Sequence, residues 1–255
     1  MPCHLRLLLL LALSAFVKLN AAPFTGMADG ERFVYKVGFA IFPHAGDITI
    51  SAKTERSPDG RILMRVTTET ASRGIVRGLY EFDNLAHVLI DVASGRALTI
   101  HETGEDPKRK SDSETNFDYD KRIAHHVDRS RPERSVDLPI PAGDPIDLIS
   151  ALVQTRDWNL KPGEKREVLM FFGRDLYPLS IYAENYEEVR TPIGKFKTLV
   201  LVPRMDKDPK GLFKKGGEIK VWIAQDGSRL PVKMQLKLKF GTASLLMTDY
   251  AAAAK

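Results

Sequence analysis

Along most of this chain apolar and polar residues alternate one by one, the period of a strand with one dry and one wet face. The cleanest stretch is Glu218–Phe240. Val232, Met234, Leu236, Leu238 and Phe240 share one face, and Lys233, Gln235, Lys237 and Lys239 share the other. Before it, Ile219, Val221 and Ile223 alternate with Lys220, Trp222 and Ala224, and Asp226-Gly227 supplies a pair suited to a tight hairpin turn. A two-residue turn sets Ile223 opposite Leu230, Val221 opposite Val232 and Ile219 opposite Met234, all on one face. It also sets Lys220 opposite Lys233, which is unfavourable and leaves a longer loop around residues 225–228 open.

The same alternation marks Phe33–Phe39, Ile48–Ala52 and Ile62–Val66, with Ser57-Pro58-Asp59-Gly60 as a turn, and predicts an antiparallel meander. Residues 72–83 are less regular, and Gly74 and Gly78 suggest a bend or bulge. Strands follow at Ala86–Val92 and Ala97–His101. The charged residues 104–114 read as a mobile loop. Asn116–Tyr119 and Ile123–Val127 form a short pair around Asp120-Lys121-Arg122. Later strands are expected at Glu167–Phe172, Leu179–Glu184, Tyr186–Arg190, Phe196–Pro203 and Thr242–Tyr250.

One helix is expected, Asp144–Arg156, with Asp144 as cap, Pro145 in the first turn and Asp147 as a capping-box acid. Ile146, Ile149, Leu152 and Val153 fall at helical spacing, so this stripe should lie on the sheet. About a dozen strands are too many for a flat open sheet. The predicted fold is mainly β: one strongly curled or closed, barrel-like antiparallel sheet of about a dozen strands with one covering helix.

The start of the chain changes the picture of where this sheet resides. Arg6, the apolar run Leu7–Val17 and the small residues Ala21 and Ala22 have the form of a secretory signal peptide cut after Ala21. Residues 22–255 then make a single domain, expected to be periplasmic and soluble. The one cysteine, Cys3, precedes the apolar run, so it is no lipid anchor, and the remainder has no thiol for disulfides or metal. The formal charge of +5 falls by two with Arg6 and Lys18, and the remaining charges are interspersed, which argues against nucleic acid as a partner. No second apolar run reaches membrane-spanning length.

Signatures of nucleophilic, phosphate-binding, dinucleotide-binding or zinc-protease chemistry are absent, so no catalytic residue, metal ligand or cofactor is assigned. His125-His126, with Asp118, Asp120 and Asp128 nearby, would point to opposite faces of a strand, and a solvated hairpin accounts for them better than a metal site. His44 and His101 suit hydrogen-bonded structural roles. Trp222 and Trp158 could stack sugars, but covering the second face of the sheet, under the helix, explains Trp222 and closing the helix end explains Trp158. The loop Lys207–Gly217 sets Lys207, Lys210, Lys214 and Lys215 around Leu212-Phe213 and is a candidate contact for a membrane or anion; a solvated loop with Phe213 tucked into the core accounts for it at least as well.

Five pieces stand in order along the chain: E-R-F-V-Y-K-V (Glu31–Val37) with Ala45-Gly46, D-L-I-S-A-L-x-x-x-R (Asp147–Arg156), T-P-I-G-K-F-K (Thr191–Lys197), G-L-F-K-K-G-G (Gly211–Gly217) and V-W-I-x-x-D-x-x-R-L-P-V (Val221–Val232). Together they resemble a known bacterial family, the domain of unknown function 3108. The resemblance implies an exported, periplasmic β-rich protein with no established activity and no catalytic residues to carry over. The last hairpin is also similar to one in periplasmic lipoprotein carriers, whose half-open barrels hold acyl chains.

One helix cannot cover so many one-sided strands, so apolar surface must be closed over or left for a ligand. The leading expectation is a non-enzymatic binding module holding a lipid, acyl chain or lipidated partner, lined by Val232, Met234, Leu236, Leu238 and Phe240. The alternative is a structural or interaction component of the envelope with a self-filled barrel.

Overall fold

The computed structural model describes residues 22–205, 209, 213, 216–239 and 241–253, so the predicted leader lies outside the described residues. The first part of the chain contains β1 (Arg32–Phe39), β2 (Phe42–Arg56), β3 (Ile62–Ser72), helix α1 (Gly74–Leu79), β4 (Asp83–Asp91), β5 (Ala97–Asp106), β6 (Arg109–Asp118), β7 (Ile123–Asp128) and β8 (Val136–Pro139). Next come the two-residue β9 (Pro145–Ile146) and helix α2 (Leu148–Gln154), prolonged by one 3₁₀ turn, Thr155–Asp157. The last part contains β10 (Lys165–Phe172), β11 (Asp175–Thr191), β12 (Gly194–Arg204), β13 (Glu218–Ala224), β14 (Pro231–Leu238) and β15 (Gly241–Ala251).

All fifteen strands belong to one sheet, in the order β8-β7-β6-β5-β4-β3-β2-β1-β15-β14-β13-β12-β11-β10-β9. Each half is a meander. The halves join at a seam where β1 pairs antiparallel with β15, and only β9 runs parallel to its neighbour, β10.

One face stays apolar across this ladder: Phe33 pairs with Ile50, Ala52 with Val66, Val66 with Val88 and Val88 with Ile100. These side chains join one buried cluster with Leu201, Val221, Val232 and Met247 of the other half. The sheet curls far enough for strands near its two edges to meet: Phe117 of β6 packs edge-on against Phe171 of β10, with ring centroids 5.4 Å apart. The neighbouring Met170, on the other face of β10, packs with Ala151 of α2 and Leu179 of β11. Strand β10 is thus buried from both sides over Leu169–Phe171, which accounts for an apolar run without alternation there.

One end of the barrel is stoppered. Residues 22–30 cross it: the Phe24 amide donates to Val92 O, the Gly30 amide to Ala52 O, and Arg156 donates to Gly26 O. A Cβ on Gly26 would stand 2.9 Å from the backbone carbon of Val153, so only glycine allows strap and helix to come this close. The opposite end carries the β1–β2, β5–β6, β10–β11 and β14–β15 turns together with α1.

Several expectations are corrected. Residues 104–114 are not a loop but the turn and adjoining strand ends of the β5–β6 hairpin. Its charges pair across the strands, Lys110 with Glu105 at 3.0 Å and Arg109 with Asp106 at 3.2 Å, so a strand exists without an apolar period. Residues 74–79 form a short helix rather than a bulge. Asp144 and Pro145 stand before the helix: Asp147 is the cap, accepting the Ile149 and Ser150 amides, while Asp144 pairs with Arg96 at 3.0 Å. The hairpin register is shifted by two, Val221 opposite Met234 and Ile219 opposite Leu236, with a bulge after Trp222. A shift of two keeps every apolar side chain on its face. It also moves Lys233 from Lys220 to Trp222, where Nζ sits 4.1 Å above the ring. Trp222 does cover the second face, but beneath Lys233; α2 packs on the face of Met170 and Leu179.

The helix stripe gives a test of this packing. Leu152 and Val153 are buried, whereas Leu148 is exposed. Leu152→Ala should cost about 2–5 kcal/mol and Leu148→Ala less than about 0.5 kcal/mol, read from urea midpoints at constant slope.

Candidate functional site

The interior changes character along β14. Val232 and Met234 are buried, Met234 opposite Leu245 of β15. At this level the barrel is filled by Phe33, Tyr35 and Met247, and the Tyr35 hydroxyl donates to Pro231 O at 2.9 Å. Burial pushes that phenol far above its ordinary range. Leu236 and Leu238, further along the same face, are only half-buried, opposite Ala243 and Gly241. Val37 and Phe39 are half-buried beside them on β1. The result is a packed floor and an apolar mouth, facing away from the strap. Phe240 lies outside the described residues, as do Lys210, Lys214 and Lys215. Phe213 is half-buried and packs on both apolar clusters.

The floor is anchored by a buried ion pair. Glu31 ends the strap at the entry to β1, and Arg156 lies in the 3₁₀ turn after α2. Arg156 Nη1 donates to Glu31 Oε2 at 2.8 Å and to Gly26 O at 2.9 Å. Its Nε and Nη2 reach Ser228 O in the β13–β14 loop, and its guanidinium lies 5.5 Å from the centre of the Phe33 ring. Tyr250 of β15 donates to Glu31 Oε1 at 2.8 Å, and the Ala28 amide donates to Oε2. Burial pushes the Glu31 carboxyl up, but the hydrogen bonds from Arg156, Ala28 and Tyr250 outweigh it and hold the group below the ordinary carboxylate range. Arg229 adds bonds to Arg156 O and Trp158 O, and Arg166 lies over the Trp158 ring. Glu31, Arg156 and Arg229 all stood in the pieces that carried the family resemblance. Their meeting across more than a hundred residues left no trace in local spacing.

Sequence reasoning also missed a polar cleft of about 700 Å³ on the other face of β2–β6, lined by Asp47, Glu69, Asp83, Asp112, Arg73 and Lys110 among others. Its residues come from several strands, so no local motif announces it. Three of its carboxylates are held by neighbouring side chains: Asp47 by His44 and Arg73, Asp83 by Arg77, Asp112 by His101 and Arg129. All three sit below the ordinary range. For Asp47 the His44 and Arg73 bonds overcome burial; for Asp83 the Arg77 bond leads, and for Asp112 the His101 bond. Acids held ionised in this way are not poised for proton transfer near neutrality.

His125 and His126 point to opposite faces. His125 donates to Asp137 at 2.7 Å, while His126 is buried and shares a hydrogen bond with Thr115 at 2.9 Å. Burial lowers the His126 pKa. Among the described residues no group of three or more His, Cys, Asp and Glu is placed to hold a metal ion. Trp158 is buried at the end of the 3₁₀ turn, and Trp222 Nε1 donates to Glu187 at 2.7 Å.

A rolled, mainly antiparallel sheet with a stoppered end and an apolar mouth defines a β-barrel-like protein. The chain belongs to the family described as protein of unknown function (DUF3108), which matches residues 34–248. A β-barrel-like protein of domain of unknown function DUF1849 from Brucella abortus has the same fold. Its TM-score is 0.56 at 8% identity, covering 90% of this chain and 100% of that one. Less similar are a protein described as exported, with a YmcC-like fold, from Bacteroides fragilis (TM-score 0.35, 10% identity, 91% and 100% covered) and one described as a lipoprotein from Parabacteroides distasonis (0.31, 10%, 91% and 99%). No curated protein matches the chain. Among the described residues no helix is long and apolar enough to cross a membrane.

Two carboxyls should leave opposite marks on stability. The Glu31 pKa is lowered by folding, so its contribution is complete above the ordinary value of 4.5 and is lost as pH falls through the folded value. Glu31→Gln should cost about 3–5 kcal/mol at pH 7 and flatten the acid limb of a plot of Tm against pH. The Asp147 pKa is raised, because burial outweighs the hydrogen bonds from Ser150 and Ile149. Its contribution is complete in acid and falls as pH rises through the folded value. Asp147→Asn keeps the cap and should raise Tm at pH 7; Asp147→Ala should lower it by removing the cap.

Proposed function

We propose that this protein is a non-enzymatic binding module of the bacterial envelope, exported to the periplasm, that takes a lipid acyl chain or similar apolar group at the mouth of its barrel. The observation that carries this reading is the grading of burial along one strand face, from the packed Val232 to the half-buried Leu236 and Leu238. Apolar side chains left half-covered at the mouth of a barrel are what an apolar ligand would complete. Among the described residues no second large helix covers them, which supports it. Lipidated envelope proteins are partners of the same chemistry. The packed floor around Tyr35 and Val232 favours a second reading, a self-filled structural barrel whose contacts are made at its surface.

Native mass spectrometry of the exported protein separates the two. The first reading expects a co-purifying species of lipid mass that leaves on denaturation. Leu236→Trp should then lower bound lipid by roughly tenfold while the fold survives. In a self-filled barrel the same substitution overpacks the interior and lowers Tm, and the wild type shows a clean apo mass.

A further inference from the structure

The four most exposed large apolar side chains among the described residues all lie at the mouth end. They are Ile41 (86% exposed) in the β1–β2 turn, Ile75 (72%) and Leu79 (73%) on α1, and Phe172 (56%) at the β10–β11 turn. The pairings place them there together: Phe39 faces Phe42 beside Ile41, Ser72 faces Gly46 just before α1, and Phe172 faces Asp175. Helix α1 is docked on the β1–β2 hairpin by the Arg73 amide, which donates to Ala45 O at 2.8 Å, and by the Arg73–Asp47 pair at 2.9 Å. It buries no residue, and Ile75 and Leu79, four apart, share its free face. Among the described residues the stoppered end presents no large apolar side chain so exposed; its most open is Ile62, at 47%.

Unpaired charge at this end is mostly basic, with Asp175 beside Phe172 and Glu133 the acids that have no ion-pair partner among the described residues. Carboxylates at this end are mostly taken: Asp47 by Arg73, Glu81 and Asp83 by Arg77, Glu105 by Lys110 and Asp106 by Arg109. Lys108 at the β5–β6 turn, Lys237 at the end of β14 and Lys239 beyond it are exposed and have no ion-pair partner among the described residues. Apolar tips ringed by unpaired lysines match the boundary between acyl chains and anionic headgroups, where lysine adds attraction to inserted apolar area.

We propose that the mouth end is a docking face for an anionic phospholipid bilayer, with Ile41, Ile75, Leu79 and Phe172 entering the headgroup boundary and Lys108, Lys237 and Lys239 meeting phosphates. This rests on the reading above, in which the mouth takes an acyl chain, and places that mouth against the surface holding such chains. It calls on none of the interior residues.

The test is co-sedimentation of the exported protein with vesicles of phosphatidylethanolamine and phosphatidylglycerol, and with vesicles of phosphatidylcholine alone. Wild type should bind the anionic vesicles, less so in high salt, and bind the neutral ones more weakly. The double variant Ile41→Asp, Leu79→Asp should lose binding by roughly tenfold or more with its Tm unchanged, because both side chains are already in water. Ile62→Asp, the same change at the other end, should bind as wild type does. Lys237→Glu with Lys239→Glu should weaken binding to anionic vesicles only. Equal binding by wild type and the Ile41/Leu79 variant overturns the proposal, as does no wild-type binding to either vesicle. A wild-type dimer that the Ile41/Leu79 variant abolishes overturns it too, and would seat a second copy on this face. Lipid found by native mass spectrometry without vesicle binding would sink this proposal and leave the ligand reading standing; vesicle binding with a clean apo mass would do the reverse.

Discussion

The ion pair between Glu31 and Arg156 is the constraint on which the closed end depends. Four separate parts of the chain converge on it: the strap through Gly26 and Ala28, the helical segment through Arg156, the β13–β14 loop through Ser228, and β15 through Tyr250. Two buried charges are costly to desolvate, and such a pair persists only where further hydrogen bonds satisfy both partners. Here both Glu31 oxygens accept hydrogen bonds, and Arg156 donates to two carbonyls besides the carboxylate. An apolar replacement could match the packing but could not fix the relative positions of strap, helix and loop, because apolar contacts carry no direction.

The second organising feature is β10, which must be apolar on both faces because the sheet rolls over it. Its inner face meets β6 through Phe171, and its outer face holds α2 through Met170. The two edges of the sheet need not hydrogen-bond to each other to close the barrel. Overlap of side chains does the closing, and the edges themselves stay short: β8 has four residues and ends in Pro139, and β9 has two. Short edges and proline discourage pairing with other chains.

Much of this fold was legible. One-sided strands such as β1, β3 and β14 announce themselves, because burial of one face imposes a period of two. The β5–β6 hairpin did not, because its stability comes from cross-strand ion pairs and from polar partners on both faces, which leave no hydrophobic period. Helix α1 is six residues with nothing buried, too short and too open to show an amphipathic stripe. The two-residue turn gives a register two off, because apolar patterning is blind to even shifts; the longer loop left open around residues 225–228 is the one that forms, and it sets Lys233 over Trp222. Of the candidate site, the apolar face of β14 was readable, but its division into floor and mouth was not. That division depends on where the strap and α2 end, which is set by partners far away in sequence.

The seam between β1 and β15 has a consequence for how the chain folds. The two halves of the sheet share backbone hydrogen bonds only there, through the first and last described strands. Each half is built of neighbours in sequence and can assemble from local hairpins, quickly and independently. Joining them requires Arg32 to find Ala251, a contact spanning nearly the whole described chain, so the mean contact separation is raised by this one ladder and folding is slowed at its final step. A chain emerging from its N-terminus holds the free edge of β1 open until residues 241–251 arrive. During that interval β1 is an unpaired edge available to any extended segment, including a neighbouring chain's β15, which makes strand exchange across the seam the characteristic error of this topology.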